Sequence, residues 1–514
     1  MRIKLIFMSF VIFELLHCTR LSAQLFERTE LSAKLDIPWE IQYGPENHLW
    51  ISQSGGRILR VNALNGRTKL MFTAPDYFNG SPKENSPLCF KPKIGAGTLG
   101  MALHPKFYDS GIIFLVYSYN HNTADTPQTR FKIAKLRWNK QADTLLYEKA
   151  VVTDLPNGFD HLGGRLICAT QNGTDYLFFS AGDNGISETS EPLCYMPQSS
   201  NPNNFTQDIA YKNGKIHRFH LDGSVPSENP VAGNSFYTRG HRNPQGLAFN
   251  PSTEVIYCAE HGDRTDDEIN LLKPGKNYGW KQARGYHNDN NFMGETQFVG
   301  NYVPNPLIKG DSLMEPLYSW CNVPQPASSN YSDWCTIAPS DMFYYHLNGI
   351  ENWKNSLLVV SLKKSSSLKQ CIYRFKLDDN GEKLEPATIN QPNPELLFES
   401  DYLLNGRIRD LTFDPTGENI YLINNGGADR DKIVCYKLIK ERLIISPNPA
   451  VSEIQLKTEK LITKTQIYGS NGGLIALYEG NKRMLDISGL KPGLYYARVF
   501  TTDGKILTQK WLKL

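Results

Sequence analysis

Apolar residues along this chain recur with a period of two in short runs, and long stripes of period 3.6 are almost absent. The runs come in pairs. HLWISQSGGRILRVN (48–62), IIFLVYSY with KIAKLRW (112–138), YLFFSAGDNG with KIHRFHLDG (176–223), VIYCAEHGD with DEINLLK (255–273), SLLVVSLKK with CIYRFKLDDNG (356–381) and NIYLINNGG with KIVCYKL (419–438) each read as strand, polar loop, strand. Six such units in series predict radial repetition, an all-β fold built as a six-bladed β-propeller. Uneven spacing predicts large inserted loops, mostly around 280–345. From ISPNPAVSEIQL (445–456) onward the chain turns to short strands and Gly-rich turns, enough for a small C-terminal β-sandwich. The expected division is therefore 24–440 and 441–514, with the boundary near 440–446.

Composition adds compartment. With 40% hydrophobic and 21% charged residues, 514 residues suit a globular protein with ample core. Net charge is only +3, and no clustered basic face calls for a nucleic-acid partner. The opening MRIKLIFMSFVIFELLHCTRLSAQ has a basic start, an apolar centre and small residues at Ser22 and Ala23, so residues 1–23 read as a secretory signal. No later run is long and apolar enough to span a membrane. Disulfides are permitted in an exported protein, and the polar loops around Cys321 and Cys335, and around Cys89 and Cys194, suggest the pairs 321–335 and 89–194. Cys168, Cys258, Cys371 and Cys435 lie in apolar strand patterns and read as small buried hydrophobes.

Candidate chemistry collects at strand ends. Gly95–Gly100 spells GAGTLG, but no strand precedes it and no helix follows, so a dinucleotide site is excluded. FDHLGGRL offers Asp160 and His161, the latter a general base, and SAGDNG offers Asp183 to orient it. GHRNPQGLAFNP sets Arg242 beside Asn243 just before a strand. AEHGDRTDDEIN either solvates a turn or holds a hard cation through carboxylate and main-chain oxygens. Lys363, Arg407 and Arg409 stand at further strand ends, and the last two, being two apart, are expected to point the same way and to serve a polyanionic ligand.

These segments, with KNYGW, SDWCTIAPS, VVSLKK and GRIRDLTFDPTG, occur in the order found in the soluble glucose/sorbosone dehydrogenases, which the chain resembles over roughly 30–440. The resemblance implies a six-bladed propeller that uses pyrroloquinoline quinone (PQQ) and calcium to oxidise a sugar. By that resemblance Lys363, Arg407 and Arg409 hold PQQ, Arg242 and Asn243 bracket its quinone, and Gly262 and Asp263 offer carbonyls to calcium. His161 takes the proton of the anomeric hydroxyl, Asp183 orients it, Asp160 touches substrate, and Tyr331 with Trp334 form an aromatic wall. Asp267, Glu268, Tyr278 and Tyr286 fall where the family holds further calcium. Two positions depart from the pattern. Gly95 stands where glucose-oxidising members carry glutamine, which points away from glucose, and Asp263 replaces a proline.

The tail resembles the C-terminal sorting domain of the type IX secretion system in SPNPA and LDISGLKPGLYYARV. That implies contact with outer-membrane secretion machinery and a secreted or surface location. Partners expected on this reading are a small sugar and an external electron acceptor, with a homodimer left open. The competing reading is a non-catalytic propeller that binds a glycan or protein, since this fold carries many functions.

Overall fold

The computed structural model describes residues 26–514 except 79–96, 122–128, 158–160, 185–204, 291–292, 325, 328–329, 389–390, 400–406, 427–429, 440–442 and 459. The expected signal segment, the Cys89–Cys194 pair, Gly95 and Asp160 lie outside the described residues. The chain divides into two compact units, one Arg28–Tyr436 and the other containing Lys437–Leu514.

The first unit holds six four-stranded sheets. Five are consecutive in sequence, with first strands Pro38–Gly44, Thr98–Leu103, Gly163–Gln171, Pro244–Asn250 and Pro339–Tyr345. The sixth runs from Arg407–Phe413 to Ile433–Leu438 and takes the N-terminal strand Phe26–Leu31 as its fourth member. This pairing staples the two ends of the ring together. The first strands touch one another in a closed circle, so they are the inner strands around an axis. The paired runs legible in sequence are the second and third strands of each sheet, such as His48–Gln53 with Arg57–Asn62.

The core lies in the seams between sheets. Trp50, Met101, Ile113, Leu115 and Leu136 pack one seam, and Phe114, Phe131, Leu166, Leu177 and Phe179 pack the next. Each such side chain contributes about 1.5–3 kcal/mol when fully buried. The second unit pairs a three-stranded sheet (Ile444–Ser446, Glu453–Lys457, Met484–Asp486) with a four-stranded one, and Ile454, Ile467, Val499 and Trp511 fill its core.

All six inner strands carry a one-residue register shift near their first residues: between Pro38 and Glu40, Thr98 and Met101, Gly163 and Leu166, Pro244 and Gly246, Pro339 and Asp341, and Ile408 and Asp410. A bulge breaks strict alternation and re-aims a side chain. Arg409 is the extra residue of its strand and is buried, whereas Arg407 is exposed, and both act on the imidazole of His261.

Arg165, at another bulge, is fully buried on the axis. Its guanidinium donates to Gln245 O (2.9 Å), Ser340 O (2.9 Å), Asp410 Oδ2 (3.2 Å) and Glu40 Oε2, and Asp341 Oδ1 lies 3.1 Å away. Trp39 is sandwiched, with Arg165 and Arg409 each 4.2 Å from its ring centroid.

Removing Arg165 leaves buried carboxylates without their counter-charge, so Arg165→Met is expected to cost about 3–5 kcal/mol in urea unfolding. Burial, more than any neighbour, raises the Glu40 carboxyl from 4.5 to about 8. A raised carboxyl stabilises the fold in its protonated form; that contribution is full below 4.5 and is lost as pH rises through about 8. Glu40→Gln should therefore gain stability relative to wild type across that window, read as a growing difference in Tm.

Candidate active site

The N-terminal ends of the inner strands meet at one end of the axis. His161 leads into the third sheet with a positive φ of 47°, and its Nδ1 lies 2.8 Å from Asp183 Oδ1. Asp183 Oδ2 accepts the indole N–H of Trp280 at 2.8 Å. As a carboxylate, Asp183 takes the Nδ1 hydrogen and leaves Nε2 as the basic nitrogen of His161. Gly182 is required between them, because a Cβ there would overlap the carbonyl oxygen of His161.

Asn243 joins the third and fourth inner strands: its Oδ1 accepts Gly163 N at 3.1 Å, and its amide nitrogen is 3.3 Å from His261 Nδ1. Arg242 is buried and anchored through its backbone N–H to Glu260, which also holds His241 Nδ1 at 2.8 Å. The Arg242 and Arg284 guanidiniums lie 5.3 and 4.8 Å from the Trp280 ring centroid, and both approach Asp263, at 3.9 and 3.1 Å.

His261 shows that these groups converge. It is held well below its usual range by burial first, then by Arg242, His161, Arg409 and Arg407. Three guanidiniums and the candidate base therefore act on one imidazole. His261 Nε2 and Arg409 Nε are buried with no hydrogen-bond partner among the described residues. Burial also drives Arg409 well below its usual range, with Arg165 and Arg407 adding to it.

The profile of the family described as "Glucose / Sorbosone dehydrogenase" matches residues 35–434. The chain belongs to the glucose/sorbosone dehydrogenase family. Family members are sugar-oxidising oxidoreductases. The chain is 29% identical over 450 residues to Quinoprotein glucose dehydrogenase B of Acinetobacter calcoaceticus, covering 79% of this chain and 87% of that one. It is 26% identical over 365 residues to an aldose sugar dehydrogenase of Escherichia coli, covering 69% and 82%. In fold it is similar to the PQQ-bound aldose sugar dehydrogenase of Streptomyces coelicolor (TM-score 0.54, 21% identity, 81% of this chain and 100% of that one). Residues 445–513 match the "Secretion system C-terminal sorting domain" profile.

Against the expectations of the family, the remaining residues divide. Lys363 is half-buried, 5.7 Å from the Trp334 ring centroid, and burial lowers it while Asp267 acts in the opposite sense. The Cys321–Cys335 disulfide is present and closes the loop that carries Trp334 and the backbone of Tyr331. Asp267 accepts Gly262 N (2.9 Å), Ile337 N (2.7 Å) and Ala338 N (2.9 Å), so it holds the Gly262–Asp263 loop in place. Glu268 accepts Gly285 N at 2.6 Å and Asn270 Nδ2 at 2.9 Å, and Tyr286 is half-buried near Glu268, Asp266 and Glu315. Tyr278 stands apart: it is buried against His241, and its hydroxyl is committed to Leu271 O and Lys273 N. Among the described residues no group of three or more His, Cys, Asp or Glu is set to hold a metal ion by side chains alone.

Sequence reasoning passed over Trp280, Arg284, His261 and Glu260 as site residues. Trp280 closes the KNYGW segment and His261 sits inside AEHGD, but nothing in either spelling says that they touch Asp183 and Asn243.

A buried guanidinium among other cations costs stability, so Arg409→Met is expected to raise the stability of the ligand-free protein by about 1–2 kcal/mol in urea unfolding.

Proposed function

We propose that the protein is an exported, PQQ- and calcium-dependent sugar dehydrogenase that oxidises the anomeric hydroxyl of an aldose or related sugar to a lactone and passes the electrons to an external acceptor. The observation that carries this reading is the gathering of Arg242, Arg407 and Arg409 with His161 around His261. The donor set suits PQQ, which bears three carboxylates and an ortho-quinone. Arg409 Nε and His261 Nε2 are buried donors or acceptors in need of a partner, and an anion beside them would relieve the mutual repulsion of the cations. Arg407, Arg409 and Lys363 would hold the carboxylates, with Arg242 and Asn243 at the quinone. Gly262 and Asp263 would offer main-chain oxygens to calcium, the hard donors this ion takes, and the rest of its shell would come from the cofactor and water.

When bound, PQQ with calcium supplies the two-electron acceptor for the hydride leaving the anomeric carbon. The protein supplies the base. His161 Nε2 removes the hydroxyl proton, and Asp183 fixes the tautomer and stabilises the imidazolium that forms. Trp280 keeps the second oxygen of Asp183 occupied, so the carboxylate cannot turn away from the ring. Arg242 stabilises negative charge developing opposite the substrate, while Asp263 and Arg284 keep its guanidinium in register. Asp160, Tyr331 and Trp334 are assigned to the sugar. The type IX export is supported by the sorting-domain match, and the route begins with the proposed signal at residues 1–23.

Dye reduction by the purified protein should require both PQQ and Ca²⁺, across a panel of aldoses, uronic acids and sugar alcohols. His161→Ala should lower turnover by about 10²–10⁴-fold with PQQ affinity retained. Arg409→Met should instead weaken PQQ binding by at least tenfold, measured by absorbance titration. Absence of PQQ binding to the wild-type protein would overturn the assignment and leave a binding propeller.

A further inference from the structure

Hydrogen-bond directions at the candidate site are set by a side chain that can only donate. Arg409 has N–H groups and no acceptor, so the oxygen of the Gln245 side chain faces it: Arg409 Nη1 donates to Gln245 Oε1 at 2.8 Å. The Gln245 amide nitrogen is thereby turned the other way and donates to Asn243 Oδ1 at 3.2 Å. The same oxygen accepts the backbone N–H of Gly163 at 3.1 Å. Turning the Asn243 amide over would set its NH₂ group against two donors, so its orientation is settled and its nitrogen faces His261.

That leaves one tautomer for His261. Asn243 Nδ2 lies 3.3 Å from His261 Nδ1 and has only hydrogens to offer, so Nδ1 accepts and the ring hydrogen sits on Nε2. A backbone bond keeps the two residues in that relation, because His261 N donates to Asn243 O at 3.2 Å. His261 Nε2 is buried and meets no acceptor among the described residues. The three guanidiniums that act on the ring, those of Arg242, Arg407 and Arg409, are themselves donors only. A buried N–H left in this state costs about 1–3 kcal/mol, which a ligand acceptor would relieve.

We propose that His261 is a ligand-binding residue of the candidate site: its Nε2–H donates to an acceptor atom of the cofactor, and the relay Arg409–Gln245–Asn243 holds the ring in the donating form. The assignment rests on the PQQ reading above, and it adds a residue that the family spelling did not single out. PQQ presents quinone and carboxylate oxygens, all of them acceptors. The guanidiniums supply charge to such a rim, and a neutral imidazole N–H adds direction without adding to their mutual repulsion. Gln245 is a positioning residue in this scheme, since it acts on the ligand only through Asn243 and His261.

Absorbance titration of PQQ, with Ca²⁺ present, into wild type, His261→Leu and His261→Gln tests the donor. His261→Leu is expected to weaken binding about tenfold, and His261→Gln, which returns an N–H, to recover most of that loss. Nitrogen-15 spectra of the ligand-free protein test the relay, with the His261 signals identified by their loss in His261→Gln. Nδ1 should read as the bare nitrogen and Nε2 as N–H, and Asn243→Asp, which offers oxygen in place of an N–H, should exchange the two. A hydrogen on Nδ1 in wild type overturns the relay. Equal PQQ affinity of wild type and His261→Leu overturns the role of His261 alone, as does His261→Gln binding no better than His261→Leu, whereas failure of wild type to bind PQQ removes the cofactor reading itself. If His261→Leu does not fold, the wild-type Nε2–H resonance decides: it should shift when PQQ is added, and an unmoved resonance overturns the proposal.

Discussion

Arg165 is buried on the axis and bonds to groups on four other inner strands: Glu40, Gln245, Ser340 and Asp410. A ring of six sheets has no central layer to pack against, so its inner strands need something to hold them at a common radius. A planar guanidinium with five donors does this better than an apolar plug, because each donor has a fixed direction. Further bonds complete the ring: Asp410 Oδ2 accepts Ile41 N at 2.7 Å, Ser340 Oγ donates to Ile408 O at 2.7 Å, and Ser52 Oγ donates to Leu99 O at 2.7 Å. Seam packing supplies most of the stability, but the axial network sets where each strand begins relative to its neighbour.

The bulges translate that registration into a site. Each inner strand gains one residue at the same level, so side chains that alternation would send into a seam are turned toward the axis or its rim. Trp39, Arg165, Gln245, Ser340 and Arg409 all sit at these positions. Gln245 then links the layers: it accepts Arg409 Nη1 at 2.8 Å and donates to Asn243 Oδ1 at 3.2 Å. The cation cluster and the carboxylates around Arg165 are consequences of one stack of inner-strand side chains.

Stability and chemistry pull against each other at the cation cluster. Arg409, His261 and Arg242 are desolvated together, an arrangement that a protein optimised only for folding would avoid. The surrounding scaffold tolerates it because the loops above are tied down. Asp267 grips the loop of Gly262 through three main-chain N–H groups on two segments, and the Cys321–Cys335 bridge closes the segment that carries Trp334. Polar groups that fix a loop in this way also fix the direction of its carbonyls, which is what a hard cation requires.

The alternation of residues alone determined that the chain is strand-built and repeated, because period-two burial is a local property of each hairpin such as 48–62 or 419–438. Motif order carried the family, and the site residues proposed here, His161, Asp183, Arg242 and Arg409, lie inside its distinctive spellings. What the sequence could not decide is direction. Arg407 and Arg409 share a parity, yet a bulge buries one and leaves the other exposed. Tyr278 lies near the acidic run in sequence, yet its hydroxyl closes a main-chain turn. The contacts between His161, Asp183 and Trp280 join residues separated by 22 and 97 positions, and those of Arg165 reach across 125 and 245. Only closure of the ring brings such distant strand ends to one axis, so only the tertiary structure could say which charges meet there.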